Sequence, residues 1–221
     1  MLPYLCEVMF KTYLAISLFA LFFMPDEKKD VCTAPVVKTE DRASVLYNDC
    51  HLNGILSFDA FQKSLVGYEK YKPAKPIIAI CDFSKPSDQK RFVVIDLQKK
   101  KVLTNTLVAH GKNSGEVMAT QFSNQPESHK SSLGFFMIGQ IIQSPKHGIS
   151  LILEGLEKGK NDQAKAREII MHGASYVCEK FIEQYGRLGR SFGCPALPED
   201  VMKKITPVLA NGSLLFIYQA K

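Results

Sequence analysis

The sequence lacks the marks of several common protein classes. Six cysteines among 221 residues are too sparse to hold a small disulfide scaffold, so apolar burial must do most of that work. None of them falls in a CxxC or CxxxxH spacing, and no structural metal site is expected. There is no GxxxxGK(S/T) or GxGxxG phosphate loop, no internal repeat and no low-complexity tract. Hydrophobic residues at 46% and charged residues at 23% exclude a disordered chain, a collagen-like repeat and a multi-span membrane protein. What remains is one ordinary domain with extensions.

The run from Tyr13 to Met24 has 12 residues with no charge and only Ser17 polar, follows Lys11 and ends at Pro25. It is short for a bilayer span and has the length of the apolar core of an export signal. Residues 1–25 are therefore expected to be a signal peptide or an N-terminal anchor, with a possible membrane association, which places the mature chain in the periplasm or cell envelope. Met9 is an alternative start. A cleaved leader removes Cys6 and leaves Cys32, Cys50, Cys81, Cys178 and Cys194, an odd number that cannot all pair within one chain. At least one exported thiol then needs burial or chemistry to explain it. The leader carries both Glu7 and Lys11, so its loss keeps the formal charge at +6. Lysines scattered over turns without interleaved aromatics fit a solvated surface or an anionic envelope rather than nucleic acid. Oligomeric state is not readable from the sequence.

Residues 26–75 read as a linker, charged and irregular through 45, followed by a helical segment. Ser57 can cap a helix whose Phe58, Phe61, Leu65 and Tyr68 form one stripe, stopped by Pro73 and Pro76. Residues 76–221 then carry short β-type runs: 77–80, 91–97, 102–109, 134–139, 149–153, 168–171 and 213–218. Further helices are expected at 176–185 and from Pro198 to about Leu209, with Pro207 a possible early stop. The fold class is mainly β, an antiparallel sandwich or barrel with a few peripheral helices.

The stretch GRLGRSFGCPAL, residues 186–197, is the most unusual. Its glycines permit sharp turns and close approach by a ligand, and Cys194 lies just ahead of a predicted helix, near Arg190. Both neighbours favour a thiolate, which still needs an imidazole to protonate a departing amine. His172 is the first candidate, at the end of a strand and before Gly173. His110 repeats the His-Gly pattern, while His51, His129 and His147 sit in less distinctive surroundings. Backbone N–H groups at Gly193 and Cys194 can hold an oxyanion. A buried, inert cysteine and histidine are the ordinary alternative.

HGASYV at 172–177 followed by RSFGCPAL at 190–197 resembles the signature of the L,D-transpeptidase catalytic domain. HGKNSGE at 110–116, FSNQPESHKSSLGFF at 122–136 and GLEKGKNDQAKAREIIMHGA at 155–174 extend the resemblance to the murein branch of that family, over about residues 77–219. The resemblance implies a cysteine peptidyltransferase acting on peptidoglycan stem peptides as donor and acceptor, without a cofactor. Cys194 matches the nucleophile, His172 the general base and acid, and Gly173 the residue whose carbonyl orients the imidazole. Ser191 and Gly193 match loop positions, and Ser132-Leu133-Gly134 a turn beside the site. Two departures stand out: Phe192 replaces the usual histidine before Gly-Cys, and Ala196 the usual arginine. Arg187 or Arg190 could supply the missing carboxylate anchor, and His110 could line the site. A hydrolase that only trims stems, and a wall-binding β-domain without turnover, remain alternatives.

Overall fold

The computed structural model describes residues 39–220; the expected leader over 1–25, with Cys6, and the linker up to residue 38, with Cys32, lie outside the described residues. In place of an irregular linker through residue 45, a helix begins at Thr39 (α1, Thr39–Asp49). Its charges hid a helical spacing in which Ala43 is buried and Leu46 and Tyr47 pack inward. The second helix (α2, Phe58–Tyr71) starts where Ser57 Oγ accepts the Ala60 N–H at 3.3 Å and ends in Lys72, in left-handed conformation ahead of Pro73.

Eight strands follow: β1 (Ile77–Asp82), β2 (Phe92–Asp96), β3 (Lys101–Thr106), β4 (Gly134–Ser144), β5 (Gly148–Gly155), β6 (Ile170–Gly173), β7 (Ala196–Leu197) and β8 (Ser213–Tyr218). Two more helices, α3 (Glu179–Tyr185) and α4 (Glu199–Leu209), flank β7 in sequence. The strands form one sheet in the order β3-β2-β1-β8-β4-β5-β6-β7. Beyond β3 the chain bends back, so that Ala109 bridges Ala196 and Gly111 bridges Ser191. The two edges are thereby brought together and the sheet is a nearly closed barrel, the arrangement that leaves few unpaired edges.

Two pairings depart from the expected antiparallel pattern: β1 with β8 and β6 with β7 are parallel. In each case a long connection containing at least one helix lies between the partners, which is what parallel neighbours require. Strands β1, β2 and β8 are buried on both faces, which is why they read as unbroken apolar runs. Ala79, Phe92, Val94, Leu215 and Ile217 face the barrel interior, while Ile78, Ile80, Val93, Ile95 and Phe216 face α1 and α2. Each large side chain so buried is worth about 1.5–3 kcal/mol relative to exposure. Helices α1 and α2 thus share a core with the sheet.

Pro207 does not stop α4, which runs on to Leu209. It lies in the last turn, where the amide it lacks would have bonded only the carbonyl of exposed Lys203, which water can serve. Lys75 Nζ donates to the Val208 carbonyl at 3.0 Å and so closes the helix end.

Candidate active site

Strands β6 and β7 set the site. Their parallel register pairs His172 with Ala196 and Gly173 with Leu197. One two-residue step back along both strands, the Ile170 N–H points at Cys194 Sγ, 3.5 Å away. Cys194, two residues ahead of β7, is therefore brought beside β6, which carries His172, although 22 residues separate them in sequence.

Cys194 is followed by a strand, and the next helix starts only at Glu199. The expected helix-terminus stabilisation is therefore out of reach, since that effect is confined to the first turn. Arg190 is also elsewhere: its Nη1 donates to the Lys112 and Gly115 carbonyls and pairs with Glu116 at 2.7 Å. The guanidinium that acts on the thiol is Arg167. Burial pushes the Cys194 thiol up, and the Ile170 N–H, Arg167 and the residue's own N–H pull it part of the way back. The sulfur at rest is a thiol that needs a base.

His172 is 1% exposed, and its Nδ1–H donates to the Gly173 carbonyl at 2.9 Å. A carbonyl only accepts, so the proton sits on Nδ1 and Nε2 keeps its lone pair. Burial pushes the imidazole down to about 4, against the pull of the Gly173 carbonyl and with a smaller push from His147. His172 is thus neutral at pH 7. No hydrogen bond joins its ring to Cys194 in this resting arrangement.

The loop carrying the cysteine is pinned from below. Ser191 Oγ donates to the Cys194 carbonyl at 2.6 Å and accepts the Gly193 N–H at 3.1 Å. The Gly193 amide is therefore occupied, and the donors grouped at the sulfur are Ile170 N–H and Cys194 N–H. Gly193 has φ +122°, and a Cβ there would come within 2.8 Å of the Lys130 carbonyl oxygen. Ser131 Oγ bridges the Gly193 carbonyl, at 3.1 Å, and the Gly111 N–H, at 3.0 Å.

Arg167 fastens the other side. Nη1 donates to the Ser123 carbonyl and to Ser132 Oγ, and Nη2 to Ser128 Oγ and the Lys130 carbonyl, over 2.6–3.3 Å. Ser132 reaches the site through this guanidinium. Gly134, with φ +102°, sits at the start of β4 against the Glu157 carboxylate, away from the thiol. His110 is wholly buried: Arg91 Nη2 donates to its Nδ1 at 2.7 Å, which leaves Nε2–H to donate to the Gly115 carbonyl at 3.2 Å. Burial, and then the Arg91 charge, push it down to about 4. It braces the loop that holds Arg190. Arg187 joins Arg190 on Glu116, with Nε 3.0 Å from the carboxylate.

An open groove of about 970 Å³ passes over the thiol. Cys194, Arg167, His147, His129 and Phe192 line it, with Lys146 and Lys165 adding positive charge and Glu127 and Glu168 negative charge. His110, Arg187, Arg190, Ser132 and Gly134 do not line it. Phe192 is 57% exposed and held between His129, 4.5 Å away ring to ring, and Lys112 Nζ, 4.4 Å from its centroid. Tyr176, its hydroxyl pushed up to about 12 by burial and by Cys194, also flanks the sulfur. A smaller groove of about 590 Å³ beside α1 and α2 lies apart from this chemistry. Nothing in the sequence singles out Arg167, and His147 stands there only as one of three histidines in less distinctive surroundings. Arg167 sits just before β6 in a charged string, and His147 in a turn, so neither interrupts a pattern.

The family model of the L,D-transpeptidase catalytic domain matches residues 52–218. No curated protein matches the chain. Among solved structures the chain is similar to an L,D-transpeptidase from Mycobacterium smegmatis at 13% identity and TM-score 0.40, over 65% of this chain and 58% of that one. It is similar to the helical cell shape determining protein Pgp2 from Campylobacter jejuni at 14% identity and TM-score 0.45, over 67% and 49%. An L,D-transpeptidase from Stackebrandtia nassauensis matches at 17% identity and TM-score 0.37, over 73% and 65%. The chain thus spans about half to two thirds of the length of these structures.

Proposed function

This chain belongs to the L,D-transpeptidase catalytic-domain family, and from that membership we propose that it is an exported cysteine peptidyltransferase acting on peptidoglycan stem peptides. The observation that carries the reading is the β6–β7 ladder, which sets a thiol with N–H donors and a guanidinium around it beside a neutral imidazole of fixed tautomer.

His172 Nε2 takes the Cys194 proton as the sulfur attacks the carbonyl of the L,D bond at the third residue of a tetrapeptide stem. A C–S bond forms, and the charge on the carbonyl oxygen faces the Ile170 and Cys194 N–H groups. Collapse breaks the C–N bond, and His172 returns its proton to the departing D-alanine amine. The side-chain amine of a second stem, its proton taken by His172, then attacks the thioester, forming the cross-link and restoring the thiol. Water in place of that amine gives a tripeptide stem and makes the enzyme a carboxypeptidase. Because the thiol is pushed up and His172 down, neither group is charged at rest, and proton transfer accompanies attack. No step calls on a metal or an organic cofactor.

Lys146, Lys165 and Arg167 line the groove together with Glu127 and Glu168, so its lining can meet both the carboxylates and the amines of a peptide stem. Among the described residues no helix is long and apolar enough to cross a membrane. An extracytoplasmic place follows from the substrate, and the expected leader would deliver the chain there. Incubation with purified tetrapeptide stems tests the reading: D-alanine release with dimer formation supports transfer, and tripeptide without dimer supports trimming. Equal product from the folded Cys194→Ala variant sinks both.

A further inference from the structure

His147 lies in the turn between β4 and β5, closed by the Ser144–Gly148 pair, with Gly148 in left-handed conformation at φ +64°. The register that follows sets Ser150 against His172 on β6, so the turn overhangs the base. The two imidazoles are stacked, with centroids 3.8 Å apart and planes inclined by 24°. His147 lines the groove together with Cys194, whereas His172 is covered. One edge of the His172 ring is tied to the Gly173 carbonyl and one face is covered by His147, leaving the Nε2 edge without a hydrogen-bond partner among the described residues.

We propose that His147 is a positioning residue for the general base: its ring, laid on His172, holds that imidazole in the orientation that keeps Nε2 free to exchange protons with Cys194 and the leaving amine. The Gly173 hydrogen bond alone fixes the tautomer but leaves the ring free to rock about that contact. A flat partner in face contact removes the rocking and excludes water from the ring face, two effects that a small side chain cannot reproduce. The stack also disfavours protonation of both rings at once, because two imidazolium rings at 3.8 Å repel. Elements packed against β6 carry other charges: Glu154 on β5, Glu199, Asp200, Lys203 and Lys204 on α4, Lys146 on the turn and the Cys194 thiol beyond β7. Of these ionisable groups only His147 acts on His172 by charge, and only Lys146 on His147. His147 is itself pushed down, by burial and then by Lys146, so the stack is neutral at pH 7.

The inference rests on His172 being the base for Cys194, and its test keeps the two ideas apart. Ring proton NMR titration of His172 needs no substrate. In His147→Ala the His172 midpoint is expected to move up from about 4 toward the ordinary histidine value, while His147→Phe, which keeps a flat ring, holds it low. On stems, His147→Ala is expected to lose roughly 10- to 100-fold in kcat with little change in KM, the cost of a misaligned base. Its acidic limb should shift to higher pH, and His147→Phe should recover most of the rate. An unmoved His172 midpoint and an unmoved acidic limb in His147→Ala overturn the inference. So does a His147→Phe enzyme as slow as His147→Ala, which would mean that His147 exchanges protons itself. If the NMR shift is seen but no variant or wild type processes stems, the positioning stands and the peptidoglycan assignment falls.

Discussion

Replacing Arg167 by methionine keeps most of the aliphatic stem and removes the guanidinium, and two separate losses should follow. The first is structural. Four hydrogen bonds of 2.6–3.3 Å tie residues 123–132 to the segment that leads into β6, the strand carrying His172. A hydrogen bond to a charged group contributes about 1.5–3 kcal/mol, but Arg167 is only half-buried, and water can replace part of the set. A net loss of about 2–4 kcal/mol is expected, which lowers Tm by roughly 5–15 °C for a domain of this size. The second loss is electrostatic: Arg167 pulls the Cys194 thiol down, so its removal lets burial push the thiol further up and slows alkylation at neutral pH. Arg167→Lys separates the two, because an ammonium restores the charge but cannot span four acceptors. It should recover much of the alkylation rate and little of the Tm. Thermal melts and iodoacetamide labelling followed by peptide mass spectrometry read both effects. A methionine variant that melts like wild type and labels Cys194 at the same rate refutes the role given to Arg167.

Gly193→Ala puts a Cβ 2.8 Å from the Lys130 carbonyl oxygen at a φ of +122°; it should cost about 1–3 kcal/mol in Tm-derived stability and, by shifting Cys194, roughly 100-fold in kcat, and an unimpaired enzyme contradicts the pinned-loop geometry. His110 and His172 are both pushed down to about 4 by burial; the folded chain then binds fewer protons than the unfolded one below the ordinary histidine range. Stability is therefore full above about pH 6.5 and falls as pH drops toward 4, by about 1.4 kcal/mol per pH unit for each histidine. Urea melts at pH 7 and pH 4.5 check this, and equal midpoints would refute both burials.

The legible parts of the fold were those with a repeating signal. Ile77–Ile80, Phe92–Asp96 and Ser213–Tyr218 stood out because both faces of those strands are buried and nothing polar interrupts them. Strand β7 has two residues and no period to read, and it exists only because β6 offers it a ladder. Because β7 lies between Cys194 and the helix that begins at Glu199, the thiol lies farther from that helix end than the sequence suggests. Helix α1 was hidden for another reason: its apolar side is only Ala43, Leu46 and Tyr47 among charges, enough to pack once α2 and the sheet are present. In the site, Cys194, His172 and Gly173 are marked by their sequence surroundings and meet through β6 and β7. Arg187 and Arg190 look free in the sequence because their partner, Glu116, lies on a distant loop. Arg167 and His147 act through contacts that only the closed barrel creates.

The most direct test of the chemistry is intact-protein and peptide mass spectrometry of the enzyme quenched in acid during turnover of a tetrapeptide stem. Expected is a thioester on Cys194 whose mass is the stem less D-alanine, discharged when an acceptor amine is added and missing in Cys194→Ala. Stem processing with no adduct on Cys194, or with the adduct on another residue, contradicts it.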